Sequence, residues 1–327
     1  MSVFSNQRVI DFIRDNFIPV ATDINRSVHR RDEVGDFFRK IAEQGHYAGR
    51  TKPTNTRQGL YVATADGQLL ASVNSTRARD VMQMMNRAAF KFRNLQSKTQ
   101  PKISDQFKPD QKYDISFPEG GMILRITCRD LPRPSNSLHK TWRHNFDNAW
   151  LTADEVSSFV PQPDDGEGEI KGGFEYDIPS TVIARIAQFH LIDHVKGEAP
   201  WWNSSMVKEA NASAQVVGVK EGRALIKLTG HVKCEEGRRT NVNPFNGQRD
   251  SPQGIDLQLS GRLIWDIKQE KFTRFNWVAI GDRWGTATYN FRHRDLQKNP
   301  IGFVLELLPT VPENMTKPKY LSHRYFP

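Results

Sequence analysis

His190 and His194, in the segment FHLIDHVKGE, stand four residues apart. On an α-helix that spacing puts two imidazoles on neighbouring positions of one face, the arrangement from which paired nitrogen ligands for a transition metal are built. His139 and His144 in SLHKTWRHNF would supply further nitrogens. Asp193 lies between the first pair, and a His190, Asp193 and His194 cluster is also the composition of a carboxylate-oriented general base. Each has a plainer reading. At 100° per residue, His190 falls about 40° from the centre of the Val182, Ile186 and Phe189 stripe and His194 about 80° away, so a satisfied histidine at a core edge is the favoured role of His190. Asp193 projects near the middle of the same stripe, where an unpaired carboxylate is costly. The helix must then unwind around Leu191, or Asp193 must meet a partner such as a histidine or arginine, with capping or bridging of backbone amides the favoured role.

The other reactive residues are sparse. Cys128 and Cys234 are the only cysteines, which excludes a disulfide framework, a CxxC redox pair and a cysteine-rich zinc site. Each sits in a strand-like run, ILRITCRD and GHVKCEE, and reads as a small buried side chain. All seven tryptophans, Trp142, Trp150, Trp201, Trp202, Trp265, Trp277 and Trp284, fall after residue 140. They fit either the filled interior of a curved sheet or an aromatic-lined cavity for an apolar ligand, the filled interior being commoner. Arg238, Arg239 and Arg249 lie in a long polar hairpin loop that could hold an anion, although simple flexibility explains such a loop as well. No GxSxG, HExxH, P-loop or GxGxxG context accompanies any of these residues.

Charge narrows the partners. The chain of 327 residues has a net charge of +9, and residues 1 to 97 hold 15 Lys and Arg against 9 Asp and Glu. Clustered basic charge attracts anions, but here it is scattered through apparent helices without the aromatic and basic signature of an RNA-binding sheet, so a solvated surface is favoured over nucleic acid. No apolar run approaches the roughly 20 residues that cross a bilayer. The opening MSVFSNQRVIDF lacks the layout of a secretory signal, so the chain as written reads as cytoplasmic, and as exported if its natural start lies upstream.

The elements that must carry these residues divide into two domains, 1–97 and 113–327, around a polar linker at 98–112. In the first, residues 6–16 form a helix capped by Ser5 or Asn6, Phe17–Ile24 a short buried strand, and Asp32–Gln44 a second helix with Val34, Phe37, Phe38 and Ile41 on one face. Residues 46–58 form a surface loop, and two strands then meet at Asp66-Gly67, a strong hairpin signal, before a helix over Thr76–Leu95.

NQRVIDFIRDNFIPVATDIN and PTNTRQGLYVATADGQLLASV together resemble thioredoxin-like domains, in the helix-to-strand passage after the active site and in the Pro-Thr loop that enters the later hairpin. The resemblance covers residues 4–95. It implies an α/β thioredoxin-like fold whose cis-proline loop would be Pro53 and Thr54. It also implies a Cys-x-x-Cys just before the first helix, where this sequence has none, so the domain has left thiol chemistry or its cysteines lie upstream of Met1.

The second domain reads as α+β, with a curved, largely antiparallel sheet forming a half-barrel around one main helix. Strands surround the Glu119-Gly120-Gly121 turn over Ile115–Thr127, an acidic glycine-rich loop spans 162–173, and the helix runs from Ser180, after Pro179, to about His194. Hairpins follow, turning at Glu221-Gly222 and at Lys268 to Glu270, with Phe275, Trp277 and Ala279 alternating against Arg274, Asn276 and Val278. The leading functional expectation is a non-redox thioredoxin-like scaffold or interaction module joined to a β-rich domain that binds an unidentified protein or small molecule. No cofactor is required, and a transition metal is the one candidate. The alternatives are a thiol-disulfide redox protein and a metal-dependent enzyme using His190 and His194.

Overall fold

The computed structural model describes residues 3–22, 24–29, 32–46, 57–95, 116–133, 144–161, 169–237, 251–287, 289–308, 317–321 and 325–326. The chain divides into two units, Met1–Ile115 and Ser116–Pro327. The linker expected at 98–112 lies outside the described residues.

In the first unit, α1 (Gln7–Asn16) starts at Asn6, whose side chain accepts from the Arg8 amide. A short α2 (Ile24–His29) precedes α3 (Glu33–Glu43), which Asp32 caps by accepting the Gly35 amide. Strands β1 (Leu60–Ala63) and β2 (Leu69–Val73) pair antiparallel across Asp66-Gly67, and Gly67 takes φ +86°, a conformation that favours glycine. Helix α4 (Ala78–Arg93) buries Val81, Met84 and Met85 in a core shared with Val9, Leu60, Val62 and Ala71. The strand expected at Phe17–Ile24 does not form. Residues 17–22 are irregular, and Ile18 and Val20 are 93% and 83% exposed. Pro19 between them has no amide to offer a ladder, which removes this segment from the interior of a sheet. Among the described residues the sheet of this unit is therefore two-stranded.

The second unit contains β3 (Met122–Asp130), β4 (His144–Leu151), α5 (Ala153–Ser157), β5 (Glu175–Ile178), α6 (Ser180–His190), β6 (Val207–Lys220), β7 (Arg223–Glu235), β8 (Gly254–Asp266), β9 (Lys271–Trp284) and β10 (Asn299–Leu307). Its strands pair antiparallel in the order β4-β3-β10-β9-β8-β7-β6-β5. Helix α6 packs on β6 and β7 and also meets β4, which stands six places from β6 in that order. Six strand spacings of about 4.8 Å span about 29 Å of flat sheet, against a helix width of roughly 10 Å. One helix touches both strands because the sheet curls around it.

The expected alternation on β9 is present: Phe275, Trp277 and Ala279 are buried in the core with α6, while Arg274 and Asn276 face outward. Tight curvature needs glycine where backbones close up. A Cβ on Gly281 would stand 2.0 Å from the Asp256 carbonyl oxygen, and one on Gly230 would stand 2.3 Å from that of Asn211. The hairpin turns fall as expected, with Glu221 at φ 52° and Gly222 at φ 71° between β6 and β7. Two boundaries differ. Residues 116–118 form no strand, so β3 only follows the glycine turn, and α6 stops at His190 instead of His194. No helix among the described residues is long and apolar enough to cross a membrane.

Candidate functional site

Helix α6 turns Val182, Ile183, Ile186 and Phe189 inward and ends at His190, because Leu191 takes φ −90° and ψ 69°. Both outcomes anticipated from Asp193 occur together: the helix unwinds at Leu191, and Asp193 meets an arginine, Arg292. His190 and His194 are consequently not one helical turn apart, and the paired-ligand geometry expected of them is missing. His190 is 3% exposed and uses both ring nitrogens, Nδ1 toward Asp147 Oδ2 at 3.0 Å and Nε2 toward Tyr325 Oη at 2.6 Å. The Tyr325 hydroxyl in turn accepts the Trp150 amide at 2.9 Å. Burial works to raise the Asp147 carboxyl, but the hydrogen bond and charge of His190 hold it below its ordinary value.

His194 is 6% exposed and accepts the Ala199 amide on Nδ1 at 3.2 Å. That bond leaves its proton on Nε2, which is buried without a hydrogen-bond partner among the described residues. Burial, with the charge of Lys319, pushes the His194 pKa down to about 3, so at neutral pH the ring is uncharged and a weak base. The His190, Asp193 and His194 cluster thus separates into three networks that fasten the end of α6. Among the described residues no group of three His, Cys, Asp or Glu side chains is placed to hold a metal ion. His139 lies outside the described residues, and His144 opens β4.

Asp193 leads into a buried ionic cluster at one end of the antiparallel sheet. Arg292, fully buried, bonds Asp130 at 2.7 and 3.0 Å, Asp193 at 2.7 and 2.8 Å, and Asp295 at 3.0 Å. Asp295 also accepts from Arg133 at 2.9 and 3.1 Å, from Lys196 at 3.1 Å and from Arg283. Burial raises the Asp295 carboxyl, but Arg133, Arg283 and Lys196 hold it well below the usual carboxylate range. Burial and the charge of Arg292 lower Arg283 and Lys196. Four cations face three carboxylates here, every one of them anchored to another. The arrangement is a clamp joining β3, β9, the end of α6 and the segment before β10.

The opposite end of the same strands is open. A cleft of about 820 Å³ lies between α5, the C-terminal ends of β6 and β8, and the segment entering β5. Val156, Val160, Pro161, Ile170, Trp265 and Ile267 form its apolar walls, and Ser157, Glu169 and Glu270 add polar groups. Two ladder irregularities flank it, between Val216 and Gly218 on β6 and between Ile264 and Trp265 on β8. Bulges of this kind re-aim side chains and collect beside functional sites. The α5 wall is held from behind: Thr152 and Glu155 form a capping box, and Arg185 of α6 bonds Glu155 and, at 3.0 Å, the Trp150 carbonyl.

Of the remaining sequence candidates among the described residues, Trp265 joins this cleft. Pro53, Thr54, Arg238, Arg239 and Arg249 lie outside the described residues. Cys128 and Cys234 are buried and free, and burial raises both thiols, that of Cys234 to about 12, so neither is a thiolate at neutral pH. Trp150, Trp202 and Trp277 fill the interior, whereas Trp265 borders the cleft. Arg292, Arg283, Asp130, Asp295, Tyr325 and the cleft residues other than Trp265 are not singled out by the sequence. Strand alternation carried a signal for two of them, since Arg283 shares the inward parity of Phe275, Trp277 and Ala279, and Asp130 that of Leu124, Ile126 and Cys128. No family model, no curated protein and no solved structure matches the chain.

Proposed function

We propose that this chain is a binding protein whose second unit holds a small molecule in the open end of its half-barrel, with the first unit serving as a non-redox interaction module. The observation that carries the reading is the cleft itself, with apolar walls, an aromatic side chain and a few polar groups, which is the usual make-up of a ligand site. Burial of Cys128 and Cys234 and dispersal of His190, Asp193 and His194 favour binding over thiol or general-base chemistry. For the first unit, the resemblance to thioredoxin-like domains now rests on the β1–β2 hairpin and the helices around it, without the strand at 17–24.

Native mass spectrometry of the full chain, purified without affinity metal, tests the reading. A retained small molecule that disappears in a Ser157→Trp variant, which plugs the cleft from the exposed end of α5, is the expected result. A retained molecule indifferent to that substitution would move the site elsewhere.

A further inference from the structure

The charge of the cleft runs against that of the chain. The whole sequence carries +9, yet the ionisable residues lining the cleft are Glu169 and Glu270, with no Lys, Arg or His among its lining. Glu270 occupies φ 48°, a left-handed position that favours glycine, so the turn carries a carboxylate at a conformational cost. Trp265, at the β8 irregularity, places an aromatic ring on the same cleft. Apolar walls with carboxylates and no opposing cation discriminate by charge: an anionic amphiphile gains the walls but meets like charge, while a cationic one gains both.

Resting on the ligand-binding reading above, we infer that the cleft takes an amphipathic cation, an apolar body bearing one quaternary or protonated amine. The apolar body occupies the Val156, Val160, Ile170 and Ile267 walls, and the amine meets Glu169 and Glu270 at the mouth. The discriminating experiment is calorimetric titration of the full chain with decyltrimethylammonium, below its micelle concentration, beside decanoate of the same chain length. The expected result is saturable binding of the cation, with decanoate at least about tenfold weaker, a rise in the dissociation constant of about five- to tenfold in the Glu169→Gln, Glu270→Gln double variant, and loss of binding in Ser157→Trp. Because both glutamates are exposed, the double variant keeps its melting temperature. Equal affinity for the two amphiphiles, or an unchanged constant in the double variant, overturns the charge assignment while binding blocked by Ser157→Trp still supports the cleft. Absence of saturable binding by either amphiphile overturns the assignment and the reading beneath it.

Discussion

The two ends of the eight-stranded antiparallel sheet treat polar groups in opposite ways. Where β3 and β9 finish, Asp130, Asp193, Arg283, Arg292 and Asp295 point inward and satisfy one another away from water. Where β6 and β8 finish, apolar walls stay open and the carboxylates of Glu169 and Glu270 stand exposed at the rim. At about 3.3 Å per residue, the run of β9 from Lys271 to Arg283 covers about 40 Å, so the ends are chemically independent. A buried charge cluster is a demanding way to close a barrel, because each ion must find partners before it leaves water. In return it fixes which loop meets which strand, and so holds α6 and the curled sheet against the open end. The most conspicuous polar residues of this unit serve its structure, whereas the proposed ligand site is lined by some of the least conspicuous.

The largest effect should separate the two ends. Arg292→Met takes the bonded guanidinium from Asp130 and Asp193, while Asp295 keeps Arg133, Lys196 and Arg283, and is expected to cost about 3–5 kcal/mol of stability in a denaturant titration, enough to unfold the second unit under mild conditions. Ser157→Trp at the cleft should stay within about 0.5 kcal/mol of the parent. A cost below about 1 kcal/mol for Arg292→Met would mean that the clamp does not hold the closed end.

Next in size is the response to acid. His194, buried and neutral, has its pKa lowered from the ordinary value of 6.5 to about 3. Below 6.5 the unfolded chain binds a proton there that the folded chain refuses, so stability rises with pH across this window and is lost as pH falls. The contribution lost by pH 5 is about 2 kcal/mol. The groups facing the ring, Lys319, Asp147 and His190, modulate it, so the diagnostic is a His194→Gln variant whose melting temperature changes less between pH 7 and pH 5 than that of the parent. An equal slope would show that His194 does not carry the acid response in this window. Tyr325→Phe, of similar size, removes the hydroxyl between His190 and the Trp150 amide and should cost about 1–3 kcal/mol in a denaturant titration.

Much of this architecture is legible from local pattern. The Asp66-Gly67 and Glu221-Gly222 turns, the Asn6 and Asp32 caps and the inward parity of Phe275, Trp277 and Ala279 depend on neighbours in the chain, which a sequence displays. The apolar run at 17–24 reads as a short buried strand, but Pro19 is a missing donor within it, and the segment is irregular over 17–22 with Ile18 and Val20 exposed. The closed end was half legible: Asp193 demanded a partner, and the identity of that partner was not readable, because Arg292 lies 99 residues away. The His190 and His194 pair misled for the same reason, since spacing reveals a shared face only while the helix continues. The cleft left almost no trace, because it is defined by where α5, β6 and β8 end relative to one another.

The smallest effect sharpens the contrast between a buried and an exposed histidine. His231, on the outer face of β7, lies between Glu209 Oε2 at 3.0 Å and Asp256 Oδ1 at 2.7 Å. Hydrogen bonding to Asp256, the largest influence, together with Glu209 raises its pKa against the opposing effect of burial. The sign is therefore the reverse of that at His194: the protonated ring stabilises the fold below the ordinary histidine value of about 6.5, and the contribution fades as pH rises through the folded value. Solvent reaches this pair and screens it, so a few tenths of a kcal/mol is the expected size. His231→Gln should lose that increment at pH 6 and match the parent at pH 8.5, and added salt should shrink the difference at pH 6. A His231→Gln penalty that persists at pH 8.5 would show that the neutral ring, bridging β6 and β8 by hydrogen bonds alone, carries the contribution.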